Sequence, residues 1–294
     1  MIKIFYNEDY DCDDFHIDTT EKARRLIQSF DYAPIPNVQV VSPPAATLED
    51  LVRVHSRRYV RAIMTGEPSH IADQNGLGEW SPRLRNSVLA STGGVLAAGR
   101  ESFRTKQNSG SASSGLHHSR RDYGAGFCAL NGLAITARAL IAEGAKRILI
   151  IDFDAHCGGG TASLIRGVKG IEQIDVSVSS YDRYESGENV WLKLSSGLTY
   201  LADIDEALNH VENPETVDVI LYNAGMDPYE GCSVGGAPGI HEGILADRED
   251  RVFEWAKSHG VPVAFVLAGG YTGASLTPDF LTDLHRFTVT AAAR

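Results

Sequence analysis

The chain has 294 residues, 43% of them hydrophobic and 22% charged, a length that buries a sizeable core and a mix that excludes a disordered or membrane-embedded chain. Its 27 Lys and Arg against 38 Asp and Glu leave a net charge of −11, which argues against a phosphate backbone, and so a nucleic acid, as partner. Four cysteines, Cys12, Cys128, Cys157 and Cys232, fall in no CxxC spacing, so reduced thiols are expected rather than disulfides or a zinc ribbon.

The opening MIKIFY reads as a strand. No basic segment leading into an apolar one follows it, and no apolar run is long enough to span a bilayer; a cytoplasmic protein without a membrane partner is expected. TTEKARRLIQSF reads as a helix with Thr19 or Thr20 available as its cap. ATLEDLVRVHSRRYVRAI predicts two helices behind Thr47, with Asp50 three residues on as a weak capping box. SPRLRNSVLASTGGVLAAGRESF, from Ser81, is the longest helical segment, and Gly93 and Gly94 in its middle either cost stability or admit a close neighbour. KQNSGSASSG, Lys106 to Gly115, has the Ser and Gly content of a flexible linker, but it runs straight into the next motif and marks no domain boundary.

From residue 146 short apolar runs alternate with helical ones: RILIIDF, GGTASLIRG, IDVSVSS, YLADIDEALNHV, VDVILYNAG, ADREDRVFEWAKSHG ended by Gly260, VPVAFVLAGG, and TPDFLTDLHRFTVTAAA with Pro278 near its start. Strands apolar on both faces are parallel and covered by helices on both sides, so the pattern predicts a three-layer α/β/α sandwich with a mainly parallel, doubly wound sheet. In such sheets the ligand site lies beyond the carboxyl ends of the strands. Those ends are Asp152 to His156, Ser179 with Ser180, Asn223 to Asp227, and Ala268 to Tyr271.

Alternation along an extended strand puts Asp152, Asp154 and His156 on one face, so the last two can reach a common metal. Asp227, a few residues beyond another apolar strand, is the natural third ligand, and Asp-His-Asp with one open position suits catalytic zinc; iron(II) suits the same donors. The adjacent His117 and His118 offer a base and an acid near neutral pH. Tyr271, after two glycines, is placed to donate to an oxygen on which negative charge develops.

These pieces, in this order, resemble the histone deacetylase and acetylpolyamine amidohydrolase family with its arginase-deacetylase fold: SGLHHSRRDYGAGFCALN, IDFDAHCGGGTA, NAGMDP and LAGGY match four of its motifs, and weaker likeness covers nearly the whole chain, 1–294, as one catalytic domain. The resemblance implies a zinc-dependent deacetylase whose metal ligands are Asp154, His156 and Asp227. It makes Asp152 the partner that orients His117, His118 the general base, His117 an electrostatic and acid partner, and Tyr271 the carbonyl polariser. Gly126 would accept from the substrate amide through its carbonyl, Phe127 would line the channel, and Val234 matches a channel-wall position. A structural potassium ion held by backbone oxygens near Asp152–His156 is a further implication. The substrate would be an acylated amine: an acetyl-lysine protein, an acetylpolyamine or a small-molecule amide. Oligomeric state is not legible.

Three positions depart from the family pattern. Gly159 stands where an Asp or Asn usually partners the second histidine, which leaves His118 without its expected orienter; Gly159→Asp would then raise activity. SGSASSG replaces an apolar strand and a Pro-Gly pair, and the segment between Ser179 and Val219 is short and lacks a Pro-Gly-Thr-Gly motif. Two rival readings follow. A two-manganese ureohydrolase would need acids at positions 158 and 225, where this chain has glycines, and a catalytically weak binding homologue draws its support from Gly159.

Overall fold

The computed structural model describes residues 1–12, 21–114 and 116–294. Eight strands form one sheet in the order β2-β1-β3-β8-β7-β4-β5-β6, and every pairing is parallel. The strands are β1 (Ile2–Phe5), β2 (Val38–Val41), β3 (Ser109–Ser111), β4 (Ile148–Asp152), β5 (Ile171–Ser177), β6 (Val190–Leu194), β7 (Val219–Asn223) and β8 (Val263–Val266).

Alternation along β4 splits its side chains between two cores. Leu149 and Ile151 pack with α1 (Lys22–Tyr32), α8 (Tyr200–His210), α9 (Glu242–Ser258) and α10 (Pro278–Ala292). Ile148 and Ile150 pack with α2 (Leu48–Leu51), α3 (Arg57–Thr65), α5 (Pro82–Thr105), α6 (Gly132–Ala142) and α7 (Gly159–Ile165). One further short helix, α4, spans Ser69–Ala72. Helices on both faces of a parallel sheet make the three-layer α/β/α sandwich that the apolar runs predict.

The capping box at Thr47 is present, with the Asp50 N–H donating to Thr47 Oγ1 at 3.3 Å and the Thr47 N–H to Asp50 Oδ2 at 3.0 Å. Thr19 and Thr20 lie outside the described residues. Gly93 and Gly94 prove to admit close neighbours: a Cβ on Gly93 would come within 2.8 Å of Ala46 N, and one on Gly94 would collide with the Tyr10 hydroxyl.

The Ser/Gly stretch is not a linker. Ser109, Gly110 and Ser111 form β3, buried between β1 and β8. Its hydroxyls find partners inside: Ser109 Oγ donates to Ala98 O at 2.7 Å, and Ser111 Oγ lies 3.1 Å from Tyr10 Oη and 2.8 Å from Ser113 Oγ. Residues this small let α5 and the Phe265 ring close on the strand, a benefit that composition alone does not reveal.

Candidate active site

Five adjacent strands, β3, β8, β7, β4 and β5, deliver their carboxyl ends to one crevice. Beyond β3 come His117 and His118, beyond β8 Gly269 to Tyr271, beyond β7 Asp227, beyond β4 Asp154 and His156, and beyond β5 Ser179 to Asp182.

Asp152 is the last residue of β4, so Asp154 and His156 do not continue an extended strand. Asp154 turns the chain instead: its Oδ1 accepts from the His156 N–H at 2.9 Å, an Asx turn. That turn still brings His156 Nδ1 to 3.2 Å from Asp154 Oδ1 and 3.0 Å from Asp227 Oδ2. The three residues offer ligand atoms within 4.8 Å of one another. Burial works against the charged imidazole of His156, but the carboxylates of Asp154 and Asp227 outweigh it and hold the group up at about 11. Burial also pushes the Asp227 carboxyl up, with the Asp154 charge beside it.

This donor set fits a divalent metal. Asp227 Oδ1 accepts from the Ala155 N–H at 3.0 Å, but Oδ2 is buried without a hydrogen-bond partner among the described residues, although it points at the imidazole. Two buried acids on one histidine nitrogen make an arrangement that a cation would complete. Gly269, with φ +56°, has no Cβ where one would come 2.5 Å from Asp227 Oδ1, so the Asp227 carboxylate keeps its place. Lys22 Nζ, buried, donates to the Gly269 carbonyl at 2.6 Å and holds the turn that leads to Tyr271.

The two histidines are held differently. His117 Nδ1 lies 2.8 Å from Asp152 Oδ2, whose other oxygen accepts from Asn223 Nδ2 at 2.8 Å. Burial opposes a charge on His117, but the Asp152 and Asp154 carboxylates overcome it and raise the group to about 10. His118 moves the other way, down to about 4, because burial and the neighbouring His117 charge disfavour its protonation. A carboxylate facing Nδ1 keeps a proton on that nitrogen in each ring, so in the neutral His118 it selects the Nδ1–H tautomer.

The carboxylate facing His118 is one that the motif pattern does not reveal. Asp182 Oδ2 lies 2.9 Å from His118 Nδ1, so the second histidine has an orienter despite Gly159. Nothing in YDRYESG marks Asp182; its neighbour on the other side of the space is fixed only by β5 pairing beside β4.

His118, Gly126, Phe127, His156, Ser179, Tyr181, Val234 and Tyr271 line a single cavity of about 420 Å³. The Phe127 and Tyr271 rings face each other at 5.6 Å, and Tyr181 stands edge-on to His118 at 5.0 Å. Gly126 packs against the His118 ring, and its carbonyl accepts from the Cys128 thiol at 3.2 Å. Val234 is 41% exposed at the mouth. Tyr271 is anchored through its backbone: its N–H donates to Cys232 Sγ at 3.1 Å, and its carbonyl accepts from the Ser233 N–H at 3.1 Å. Burial and the Asp227 and Asp154 charges keep its phenol protonated well above the usual range.

The positions that a second metal would use are closed. A Cβ on Gly158 would collide with Asp152 Oδ2, and one on Gly225 would come within 2.8 Å of Asp154 Oδ2. Among the described residues, Asp154, His156 and Asp227 are the one group of three or more acids, histidines or cysteines able to hold a metal. No helix of the described residues is long and apolar enough to cross a membrane.

The profile of the histone deacetylase domain matches residues 16–282. Histone deacetylase 2 of Arabidopsis thaliana is 26% identical over 271 residues, covering 84% of this chain and 67% of that protein. An uncharacterized protein of Picosynechococcus is 29% identical over 238 residues, 79% of each chain. The crystal structure of the HDA15 HD domain superposes with a TM-score of 0.76 at 17% identity, covering 99% of this chain and 90% of that one, which carries the likeness in fold.

Proposed function

The chain belongs to the histone deacetylase family, and from that premise we propose that it is a zinc-dependent amidohydrolase that removes an acetyl or related acyl group from an amine. The observation that carries the reading is convergence: the ligand atoms of Asp154, His156 and Asp227 gather within 4.8 Å of one another, and His156 lines the same cavity as His118 and Tyr271. In this reading residues 1–294 act as one catalytic domain.

Zinc bound by Asp154, His156 and Asp227 would polarise the amide carbonyl and acidify a water molecule there. His118, neutral and with Nδ1–H engaged, keeps Nε2 free to accept a proton within the cavity as general base. His117, held charged by Asp152, stabilises negative charge and can return a proton to the leaving amine. The Tyr271 phenol donates to the carbonyl oxygen as charge builds on it. Gly126 O accepts from the substrate amide, while Phe127, Tyr181 and Val234 enclose the chain that bears the acyl group. A potassium ion near Asp152–His156 belongs to the same proposal as a structural part. Asp182 removes the main support for a non-catalytic homologue, since His118 is not left unoriented.

The substrate class is an acylated amine: acetyl-lysine in a protein, an acetylpolyamine or a small-molecule amide. Acetate release from acetyl-lysine peptides and acetylpolyamines, measured side by side on the zinc-loaded protein with and without chelator, tests the reading. Chelator-sensitive release from one class names the substrate; absence of release from every acyl amide offered would count against the enzyme.

A further inference from the structure

We propose that Asp182 is the positioning residue of His118, and that position 159 is glycine because the Asp182 loop occupies the space a side chain there would fill. The inference rests on His118 acting as the proton acceptor.

The Asp182 carboxylate is engaged on both oxygens. Oδ2 accepts from His118 Nδ1 at 2.9 Å and from the Gly160 N–H at 2.9 Å. Oδ1 accepts from the Arg120 guanidinium, whose other arm donates to the Gly159 carbonyl at 2.9 Å. Arg120 therefore ties the β5 loop to the start of α7 and balances the charge of the carboxylate, so that a buried imidazole is oriented by an ion pair and not by a lone anion. Asp182 also adopts φ +59°, a left-handed backbone that Asp tolerates better than most non-glycine residues.

Gly159 is the counterpart. It is the first residue of α7 and its φ is not positive, so backbone conformation does not call for glycine, which is a poor helix former. Space does: a Cβ there would collide with the Asp182 carbonyl oxygen and lie 2.8 Å from its Cγ. The same four-residue segment carries Ser179 and Tyr181 into the cavity wall. The orientation of His118 and the shape of the pocket are thus set by one loop.

The test uses the full chain loaded with zinc, three single variants and one double variant. Asp182→Ala should lower kcat about 10- to 100-fold, the scale of losing a partner that orients a site residue, with KM changed by less than about threefold. Asp182→Asn, which keeps an acceptor oxygen and the shape, should fall between. Gly159→Ala should reproduce the kcat loss by displacing Asp182, and the double variant Gly159→Ala with Asp182→Ala should be no worse than either single one, because both remove the same contact. Independently of turnover, imidazole ¹⁵N spectra should report the Nδ1–H tautomer of His118 in the wild type and its loss in Asp182→Ala. If the spectra change as expected but no acyl amide is hydrolysed, the positioning role stands and the proposed reaction fails. Wild-type kcat in a folded Asp182→Ala protein, an unchanged His118 spectrum, or additive losses in the double variant would overturn the positioning role.

Discussion

Lys22 Nζ donates to the Gly269 carbonyl at 2.6 Å, joining the first helix to the turn before Tyr271 across 247 residues of chain. Both ends are buried, so removing the donor leaves a polar group unpaired. Lys22→Met should destabilise the fold by about 1–3 kcal/mol, the scale of one orphaned buried partner, and should lower kcat more than it raises KM because Tyr271 loses its fixed approach. Urea unfolding and steady-state kinetics on the same preparation check both halves. Unchanged stability would detach Lys22 from the turn.

Tyr271 itself supplies one donor in the proposed reaction. Tyr271→Phe should reduce kcat about 100- to 1,000-fold, the usual effect of losing an oxyanion donor, with KM nearly intact. The packing of Phe127 against the ring, 5.6 Å between centroids, survives the substitution, so a folding defect is not expected. Near-normal turnover would remove the phenol from the mechanism.

Metal and fold should be linked. Asp154 and Asp227 are buried beside His156, and an ion that binds only the folded state stabilises it by about 4 kcal/mol when its free concentration exceeds Kd a thousandfold. Chelator should therefore lower Tm, and added zinc should restore it. Asp227→Asn should abolish the zinc-dependent shift while the variant remains folded. An equal shift in that variant would move the ion to other ligands.

How far the site is legible in the sequence follows from where each residue sits. Asp154, His156, Asp227 and Tyr271 each end an apolar run, and parallel strands gather such ends at one edge of the sheet, so their convergence can be foreseen. Asp182 reaches His118 across 64 residues through a loop with no periodicity, and only the pairing of β5 beside β4 brings it near. The Ser-Gly-Ser strand is hidden for a different reason: strand propensity rewards bulky side chains, while β3 is selected for the absence of one. Gly110→Val, favourable by propensity, should fail for that reason, since its side chain would enter the Phe265 ring. A protein with that substitution that unfolds at the wild-type denaturant midpoint would show the packing argument to be wrong.

His55 gives the fold a pH limit. Burial lowers its folded-state value from 6.5 to about 4, outweighing the Arg120 carbonyl 2.8 Å from Nδ1, which favours the charged ring; the neutral ring's Nε2 accepts from the Asn131 N–H at 3.0 Å. Asn131 in turn donates from Nδ2 to the carbonyls of His117 and Ser119, so this lock lies behind the histidine pair. The unfolded chain binds a proton near 6.5 and the folded chain resists it until about 4; the stabilisation is complete above 6.5 and drains away as pH falls through that window. The loss amounts to about 3 kcal/mol for a shift of this size and does not deepen further below the folded value. His55→Gln, which can donate and accept but does not titrate, should be less stable at pH 7.5 and should lose less stability than the wild type between pH 6.5 and 4. Parallel pH profiles of unfolding free energy for the two proteins would assign the acid sensitivity to residues other than His55.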